Sequence, residues 1–324
     1  MGKLKTPIAK ILSGARNSTS FGIVIILLTM CVILTILVGD KFLSSDNLVS
    51  VIRQFSFIAI MAIGQSIVIM TGGIDLSVGS VFAFSSVIGC MVMVRTGLGI
   101  ACGLLAGLSV GAAFGILNGL FITRLRLPPF ISTLGTMSIA RGLAFGVTGG
   151  FPVSRLPDSF KFIGQGYVGS VPAPIIILII LTIVFGVFLH KSITGRRIYA
   201  IGGNEEASRL SGVRVERIKI LVYTLCGTMT ALSGLMTAGR LGVAQSTAGN
   251  GYEMDAIAAV IIGGASLSGG VGNIAGPVLG AAIMQVLRNG LVLTGVSAYW
   301  QQAVLGVVII IAVAFDKLRQ GKMI

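Results

Sequence analysis

Apolar residues fill most of the chain in long runs, and short polar segments separate these runs. A membrane span needs about 20 mainly apolar residues, or fewer where the segment is re-entrant or shielded by protein. The eighth candidate run is short enough to be a half-helix or a re-entrant segment. The pattern predicts an all-α polytopic membrane protein with about ten transmembrane helices. The ten candidate spans are residues 21–39, 55–71, 76–94, 98–122, 130–147, 173–190, 219–238, 254–264, 274–294 and 299–315.

The overall composition argues against an ordinary soluble domain. Of the 324 residues, 54% are hydrophobic and 10% are charged, whereas soluble domains contain about 25% charged residues. A net charge of +14 would suggest nucleic acid as a partner of a soluble protein. In a membrane protein, Lys and Arg hold loops on the cytoplasmic side, so we expect a lipid bilayer and no nucleic acid. The four cysteines lie in apolar segments without disulfide or metal-site spacing.

The distribution of positive charge predicts that both termini face the cytoplasm. With an even number of spans and the N-terminus inside, the cytoplasmic segments hold 16 of the 24 Lys and Arg residues, and the external loops hold six. This asymmetry follows the positive-inside rule. We therefore expect a cytoplasmic N-terminus at 1–20, one transmembrane domain at 21–316 and a cytoplasmic C-terminus at 317–324.

The largest polar segment, residues 191–219, is predicted to be a cytoplasmic loop that contains a short, well-capped helix. Asn204 suits the N-cap, because its side-chain oxygen can accept from free N–H groups of the first turn. Glu205 and Arg209 suit the two ends of the helix dipole and form an i,i+4 pair in the favourable orientation. Gly212 supplies the left-handed residue that ends the helix.

This short helix is expected to dock on another protein. Two turns of helix are too short to be stable alone in water, and Ala207 and Leu210 lie on one face. An ordinary solvated loop helix is the alternative.

A glycine-rich polar segment between the second and third spans is a candidate site at membrane depth. Gly72 and Gly73 can end one helix and permit a sharp turn, and Gly79 follows them closely. Asp75 can cap the next helix by accepting from the N–H of Ser77 or its neighbour. An ionisable group in a membrane is also a functional hypothesis by default. The sequence leaves open whether Asp75 is a structural cap or lines a polar pathway.

Three further charged residues are predicted at membrane depth. Arg141 interrupts the fifth span, and a buried arginine needs a partner, so it either forms a structural ion pair or contacts a substrate. Glu253 lies just before the short eighth span and Asp255 lies at its start, and these acids either cap the helix or line the outer side of a pathway. Several amide side chains can bond a hydroxylated substrate or bridge helices: Asn118, Gln285, Gln301 and Gln302.

Two similarities within the chain indicate an internal repeat. The pattern G-G-x-[DS]-L-S-x-G occurs at 72–79 and at 263–270. Residues 249–253 also resemble 72–75, with glycines followed by an acid before a short apolar helix. The second similarity gives opposite membrane orientations in a ten-span protein, so it predicts an inverted repeat of spans 2–5 and 7–10. Interrupted segments in corresponding halves are typical of a transport path.

The chain resembles the permeases of bacterial ABC importers of the monosaccharide class and is similar to the ribose permeases. Three motifs carry the resemblance, and they occur in order at family spacing: TGGIDLSVGS at 71–80, AIGGNEEASRLSGV at 200–213 and GYEMDAIAAVIIGGASLSGG at 251–270. The resemblance covers about residues 42–315. It implies a multi-pass protein of the bacterial cytoplasmic (inner) membrane and does not fix the sugar.

The resemblance also implies partners. Such a permease works with a second permease copy or a related permease, with ATPase subunits, and with a periplasmic or lipid-anchored sugar-binding protein. The ATPase uses ATP and Mg, and this chain is expected to bind no cofactor, since it has no P-loop motif. The loop between the sixth and seventh helices is implied to dock on the ATPase, through Asn204, Glu205, Glu206, Ala207, Ser208, Arg209, Leu210, Ser211 and Gly212.

We therefore expect a transport subunit without its own catalytic site. Alternatives are an ABC permease for a nucleoside or a branched-chain amino acid, and a secondary transporter, which needs no large docking loop. A membrane enzyme is disfavoured because no nucleophile–base pair or metal cluster is evident. The candidate translocation path consists of Gly72, Gly73, Asp75, Ser77, Gly79, Asn118, Arg141, Glu253 and Asp255.

Overall fold

The structure is a computed structural model that describes residues 19–321. Residues 1–18 and 322–324, which belong to the predicted cytoplasmic termini, lie outside the described residues. Within the described residues, sixteen elements follow one another: α1 Thr19–Val38, α2 Asp40–Leu43, α3 Ser45–Met70, α4 Val78–Arg95, α5 Gly99–Thr123, α6 Pro129–Thr148, α7 Asp158–Gln165, β1 Tyr167–Val168, β2 Val171–Pro172, α8 Ala173–Lys191, α9 Ile193–Gly203, α10 Glu205–Leu210, α11 Val215–Leu241, α12 Tyr252–Ile262, α13 Ala275–Leu293 and α14 Ala298–Gly321.

The helices confirm an all-α polytopic membrane protein. Within residues 19–321, eight helices are long and apolar enough to cross a membrane, namely α1, α3, α4, α5, α6, α8, α11 and α13. The two other predicted spans are also helical, but α12 has 11 residues and the apolar part of α14 covers residues 298–314. At about 1.5 Å per residue, α12 is roughly 16 Å long and crosses about half of a ~30 Å hydrocarbon core. Ten complete crossings therefore stay a prediction.

Two long helices, α3 and α11, form the centre of the bundle. In the most apolar 18-residue stretch of α3, 78% of the residues are buried. In that of α1, only 6% are buried, and its mean hydropathy is 3.1. Such an apolar helix with an exposed surface suits contact with lipid. The largest core cluster joins side chains of α3 and α11 with those of α8, α9 and α12.

Glycine occurs at every fourth position of α5 from Gly99 to Gly119, and this series brings the helix close to two neighbours. A Cβ at Gly107 would lie 2.9 Å from the Ser85 carbonyl oxygen of α4, and one at Gly119 would lie 2.6 Å from Cα of Ile220 in α11. Side chains such as Leu105 remain exposed on the opposite face. Small residues permit this close helix packing. The helix therefore packs closely against α4 and α11 through its glycine face.

The predicted cytoplasmic loop 191–219 is more helical than expected. It contains α9 and α10, and α11 begins at Val215 instead of residue 219. At the other end of the chain, α14 continues through Gly321, so the predicted C-terminal segment 317–324 begins within this helix.

The order of elements agrees with the predicted repeat. The helices α3 and α11 have 26 and 27 residues. Each is followed by a non-helical segment and then by three helices, α4 to α6 and α12 to α14. An inverted repeat of spans 2–5 and 7–10 requires this order, and the repeat itself stays a prediction.

Candidate functional sites

Asp75 lies in the non-helical segment between α3 and α4, and its side chain is buried. Its Oδ1 accepts hydrogen bonds from the Ser77 backbone N–H at 2.9 Å and from the Ser77 hydroxyl at 2.6 Å. The predicted hydrogen bond from the Ser77 N–H is confirmed, but the prediction that Asp75 caps the helix is wrong, because Ser77 occupies the N-cap position of α4. Because α4 begins at Val78, Asp75 closes the turn that leads into the helix.

A buried polar network extends from Asp75 to three helices. The Asn118 amide of α5 donates to the Ser77 hydroxyl at 3.0 Å, and the Thr136 hydroxyl of α6 donates to the Asn118 carbonyl oxygen at 2.7 Å. The Gln65 side-chain amide of α3 pairs with the Asp75 backbone. Its oxygen accepts from the Asp75 N–H at 3.2 Å, and its NH2 group donates to the Asp75 C=O at 3.3 Å. Buried polar groups that are satisfied in this way rigidify a core. The sequence predicted Asn118 for this site but missed Thr136 and Gln65.

No cation neutralises Asp75 within the described part of the chain, where the ion pairs formed involve other acids. A buried charge without a partner is expensive. In this network Asp75 therefore acts as a hydrogen-bond acceptor. An asparagine at this position could accept most of the same hydrogen bonds through its side-chain oxygen.

Arg141 binds backbone carbonyl groups. Its guanidinium donates to the carbonyl oxygens of Ser246 at 2.5 Å, Ala248 at 2.9 Å and Gly79 at 3.2 Å. The predicted structural ion pair is therefore wrong, since no acid lies within 4.0 Å of Arg141 among the described residues. The physical reason is that the loop before α12 carries carbonyl groups at membrane depth, where they need donors.

The two non-helical segments of the predicted repeat meet at a glycine contact. A Cβ at Gly249, which has φ +70°, would lie 2.6 Å from the Gly79 carbonyl oxygen. A Cβ at Gly79 would overlap the Gly249 carbonyl oxygen and the Glu253 carboxylate. The structure thus brings Gly79, Arg141 and Glu253 together, close to the network around Asp75. Convergence of two interrupted segments is the geometry expected of a transport path.

Asp255 belongs to a different cluster. It is 3% exposed, and its Oδ2 accepts from Nη2 of Arg288 in α13 at 2.6 Å. The sequence showed Arg288 only as a charge within a span. An arginine within a membrane span needs a partner. This requirement was the only feature of the sequence from which the pair could have been predicted.

The short helix α10 has the predicted caps. The Asn204 Oδ1 accepts from the Ala207 N–H at 2.9 Å, Glu205 and Arg209 pair at 3.3 Å, and Gly212 has φ +82°. Ser208 is buried, and the Ser211 hydroxyl donates to the Ala207 carbonyl at 2.8 Å.

The predicted docking face of α10 is exposed. Ala207 is exposed, and Leu210 has 81% of its surface accessible. An apolar side chain at this level of exposure is available to a partner.

Ion pairs attach α10 to the start of α11. Lys219 donates to Glu205 at 2.5 Å, and Arg209 pairs with Glu216 as well as with Glu205. These contacts between α10 and α11 were not predicted, because they join charges 7 and 14 residues apart. Each surface pair contributes only about 0–1 kcal/mol, but together they orient the exposed face.

A contact between backbones joins the end of α9 to the segment that contains Asp75. At the end of α9, Gly202 packs against the last residue of α3, Met70, and against Gly270. The Gly270 N–H donates to the Met70 carbonyl at 3.0 Å. Gly269 is equally close, since its Cβ would lie 2.9 Å from the Gly202 carbonyl oxygen and from the Gly72 nitrogen. These contacts connect the end of α9 to the residues that precede Asp75.

A family model described as "Branched-chain amino acid transport system / permease component" matches residues 47–313. The chain belongs to this permease family. It is 43% identical over 296 residues to the ribose import permease protein of Bacillus subtilis (strain 168), covering 91% of this chain and 92% of that protein. It is 35% identical over 321 residues to the fructose import permease protein of Rhizobium meliloti, covering 97% and 89%. No solved structure matches the chain.

A third relative is named for a different sugar, xylose. The xylose transport system permease protein of Haemophilus influenzae (strain ATCC 51907 / DSM 11121 / KW20 / Rd) is 31% identical over 372 residues, covering 95% of this chain and 99% of that protein. The predicted resemblance to permeases of the monosaccharide class is thereby confirmed.

Proposed function

We propose that this chain is the membrane subunit of an ATP-driven ABC importer that moves a monosaccharide, ribose or a related sugar, across the bacterial cytoplasmic membrane. The names of the relatives support a sugar over a nucleoside. They also support a sugar over a branched-chain amino acid, which the family description mentions. The observation that carries the proposal is the exposed Ala207–Leu210 face on the ion-paired helix α10. A secondary transporter has no use for such a docking helix.

The geometry supports a mechanical role for α10. A partner ATPase binds ATP and Mg and docks on the exposed face, and its closure moves α10. The adjacent helix α9 passes the movement through Gly202 to Met70 and Gly270. Met70 ends α3 just before the segment that contains Asp75, so the displacement reaches the two convergent interruptions directly. This chain contributes no catalytic group to ATP hydrolysis.

The assembly contains two copies of this permease, ATPase subunits and a periplasmic or lipid-anchored sugar-binding protein. Both termini and α10 face the cytoplasm, and α7 faces outward. The excess of Lys and Arg in the segments assigned to the cytoplasm supports this orientation. The binding protein delivers sugar to the outer side, where the loop before α12 begins.

Transport by a reconstituted complex tests the function. The permease, its ATPase and its binding protein are placed together in proteoliposomes, and ATP-dependent uptake is measured for ribose, fructose, xylose, a nucleoside and leucine. We expect saturable uptake of a sugar, and none with a non-hydrolysable ATP analogue. Uptake of only the nucleoside or leucine would refute the proposed substrate class. Uptake that is driven by an ion gradient without ATP would refute the ABC mechanism.

A further inference from the structure

A cavity of about 560 Å³ lies between α12, α13 and α14, next to the Asp255–Arg288 pair. Its volume falls within the roughly 300–1,000 Å³ of small-molecule sites. It extends along α14 from Ala298, at the start of the helix, to Ile310. It also reaches Asn250 and Gly251, which directly follow the Gly249 contact with Gly79. The cavity therefore connects the end of α14 near the outer loops with the convergent interruptions.

The cavity contains hydrogen-bonding groups that are not used up within the chain. Among the described residues, Arg288 forms one hydrogen bond, from Nη2 to Asp255, although a guanidinium has five N–H donors. The Arg288 side chain remains 34% exposed. Gln301 donates to the Val296 carbonyl, which leaves its own oxygen as an acceptor, and Gln302 is exposed. At membrane depth such groups need water or a polar ligand.

The charge and shape of the cavity select a class of ligand. The Asp255–Arg288 pair has no net charge, and the two glutamines supply both donors and acceptors. Met254 and Leu305 add apolar surface. A neutral polyhydroxylated molecule matches this combination, because its hydroxyl groups both donate and accept and its C–H groups contact apolar side chains.

We propose that this cavity is a sugar-binding site on the outer half of the translocation path, with Arg288, Gln301 and Gln302 as hydrogen-bonding residues. The inference rests on the proposed sugar-import function and adds the location of a site. Asp255 positions Arg288, and residues of α14 line one side of the site.

Cysteine labelling tests the cavity in the complete transporter. In a variant without native cysteines, Gln302→Cys is treated from outside with a charged, membrane-impermeant thiol reagent. Val307→Cys is the control, because Val307 lies on the same helix, is 56% exposed and does not line the cavity. We expect labelling at 302 but not at 307, and slower labelling at 302 in the presence of the transported sugar. Absence of labelling at 302 would overturn the proposal and indicate that lipid or the second copy fills the cavity.

A steric block supplies an independent measurement. Met254 is 48% exposed in the cavity wall, so Met254→Trp should fill part of the space and lower sugar uptake about tenfold. Co-purification of the ATPase with this variant checks that the complex has assembled. Val307→Trp, the matched control, should retain uptake.

Three results separate failure of the site from failure of the function. Normal uptake by Met254→Trp, or labelling at 302 that sugar never slows, would refute the site while sugar import stands. If the unaltered complex takes up no sugar at all, the proposed function fails, and the assignment of a sugar to this cavity fails with it.

Discussion

Replacing Gly202 with alanine is expected to push the cytoplasmic helices away from the end of α3. A Cβ at this position would overlap the Met70 carbonyl oxygen and the Gly270 nitrogen, and it would lie 3.0 Å from the Met70 carbonyl carbon. All three are backbone atoms, so no rotation of a side chain relieves the overlap. The helix α9 has to move, and the hydrogen bond from Gly270 to Met70 is then strained or lost.

The neighbouring glycine provides a matched control. Gly203 is the last residue of the same helix, and a Cβ there would meet nothing within 4 Å. Overpacking costs about 1–3 kcal/mol, and loss of one hydrogen bond costs about 0.5–1.5 kcal/mol. Both variants share the gain of roughly 0.5–1 kcal/mol that alanine gives over glycine in a helix. We therefore expect Gly202→Ala to be less stable than Gly203→Ala by about 1.5–4.5 kcal/mol.

Thermal unfolding of the two purified variants in lipid nanodiscs measures this difference. Sugar uptake by the reconstituted complex measures the effect of the substitution on transport. We expect the complex with Gly202→Ala to take up less sugar per ATP hydrolysed. Equal melting temperatures would refute the close packing. A lower melting temperature with unchanged coupling would show that the Gly202 contact is structural and does not transmit movement.

Three further predictions concern other parts of the molecule. Leu210→Asp should abolish co-purification of the ATPase without lowering the melting temperature, because Leu210 is 81% exposed; co-purification at normal yield would contradict docking through this face. Asp75→Asn should retain most transport, since asparagine can keep the bond to Ser77, whereas Asp75→Ala should lower stability by about 0.5–2 kcal/mol; a stable asparagine variant that hydrolyses ATP but moves no sugar would instead place Asp75 in the path. In intact cells, an impermeant thiol reagent should label a cysteine introduced at Lys161, in α7, and not one at Ala207; the opposite result would invert the topology.

The sequence predicted features that depend on local spacing. Apolar runs located the membrane helices, and the Asn204 cap and the Asp75–Ser77 contact each join residues two or three positions apart. Hydropathy also indicated that the eighth span was short, because its run of apolar residues in the sequence is shorter than the others.

Contacts between distant residues could not be predicted in the same way. The partners of Arg141 lie 62, 105 and 107 residues away, and they are carbonyl groups, which every residue possesses and no sequence pattern distinguishes. The Asp255–Arg288 pair joins residues 33 positions apart on different helices. Thr136 and Gln65 are ordinary polar residues until the helices that carry them are packed around Asp75.

The position of Arg141 has a consequence for how the protein is made. The helix α6 enters the membrane before its carbonyl partners near residue 247 have been synthesised, and at about 5–20 residues per second this interval lasts roughly 5–20 s. An arginine in mid-helix opposes insertion by about 2.5–3.5 kcal/mol, and α6 has a mean hydropathy of only 1.3. During biogenesis, α6 therefore depends on a sheltering neighbour, such as the insertion machinery. Its final position in the bilayer is secured only when the second half of the chain arrives.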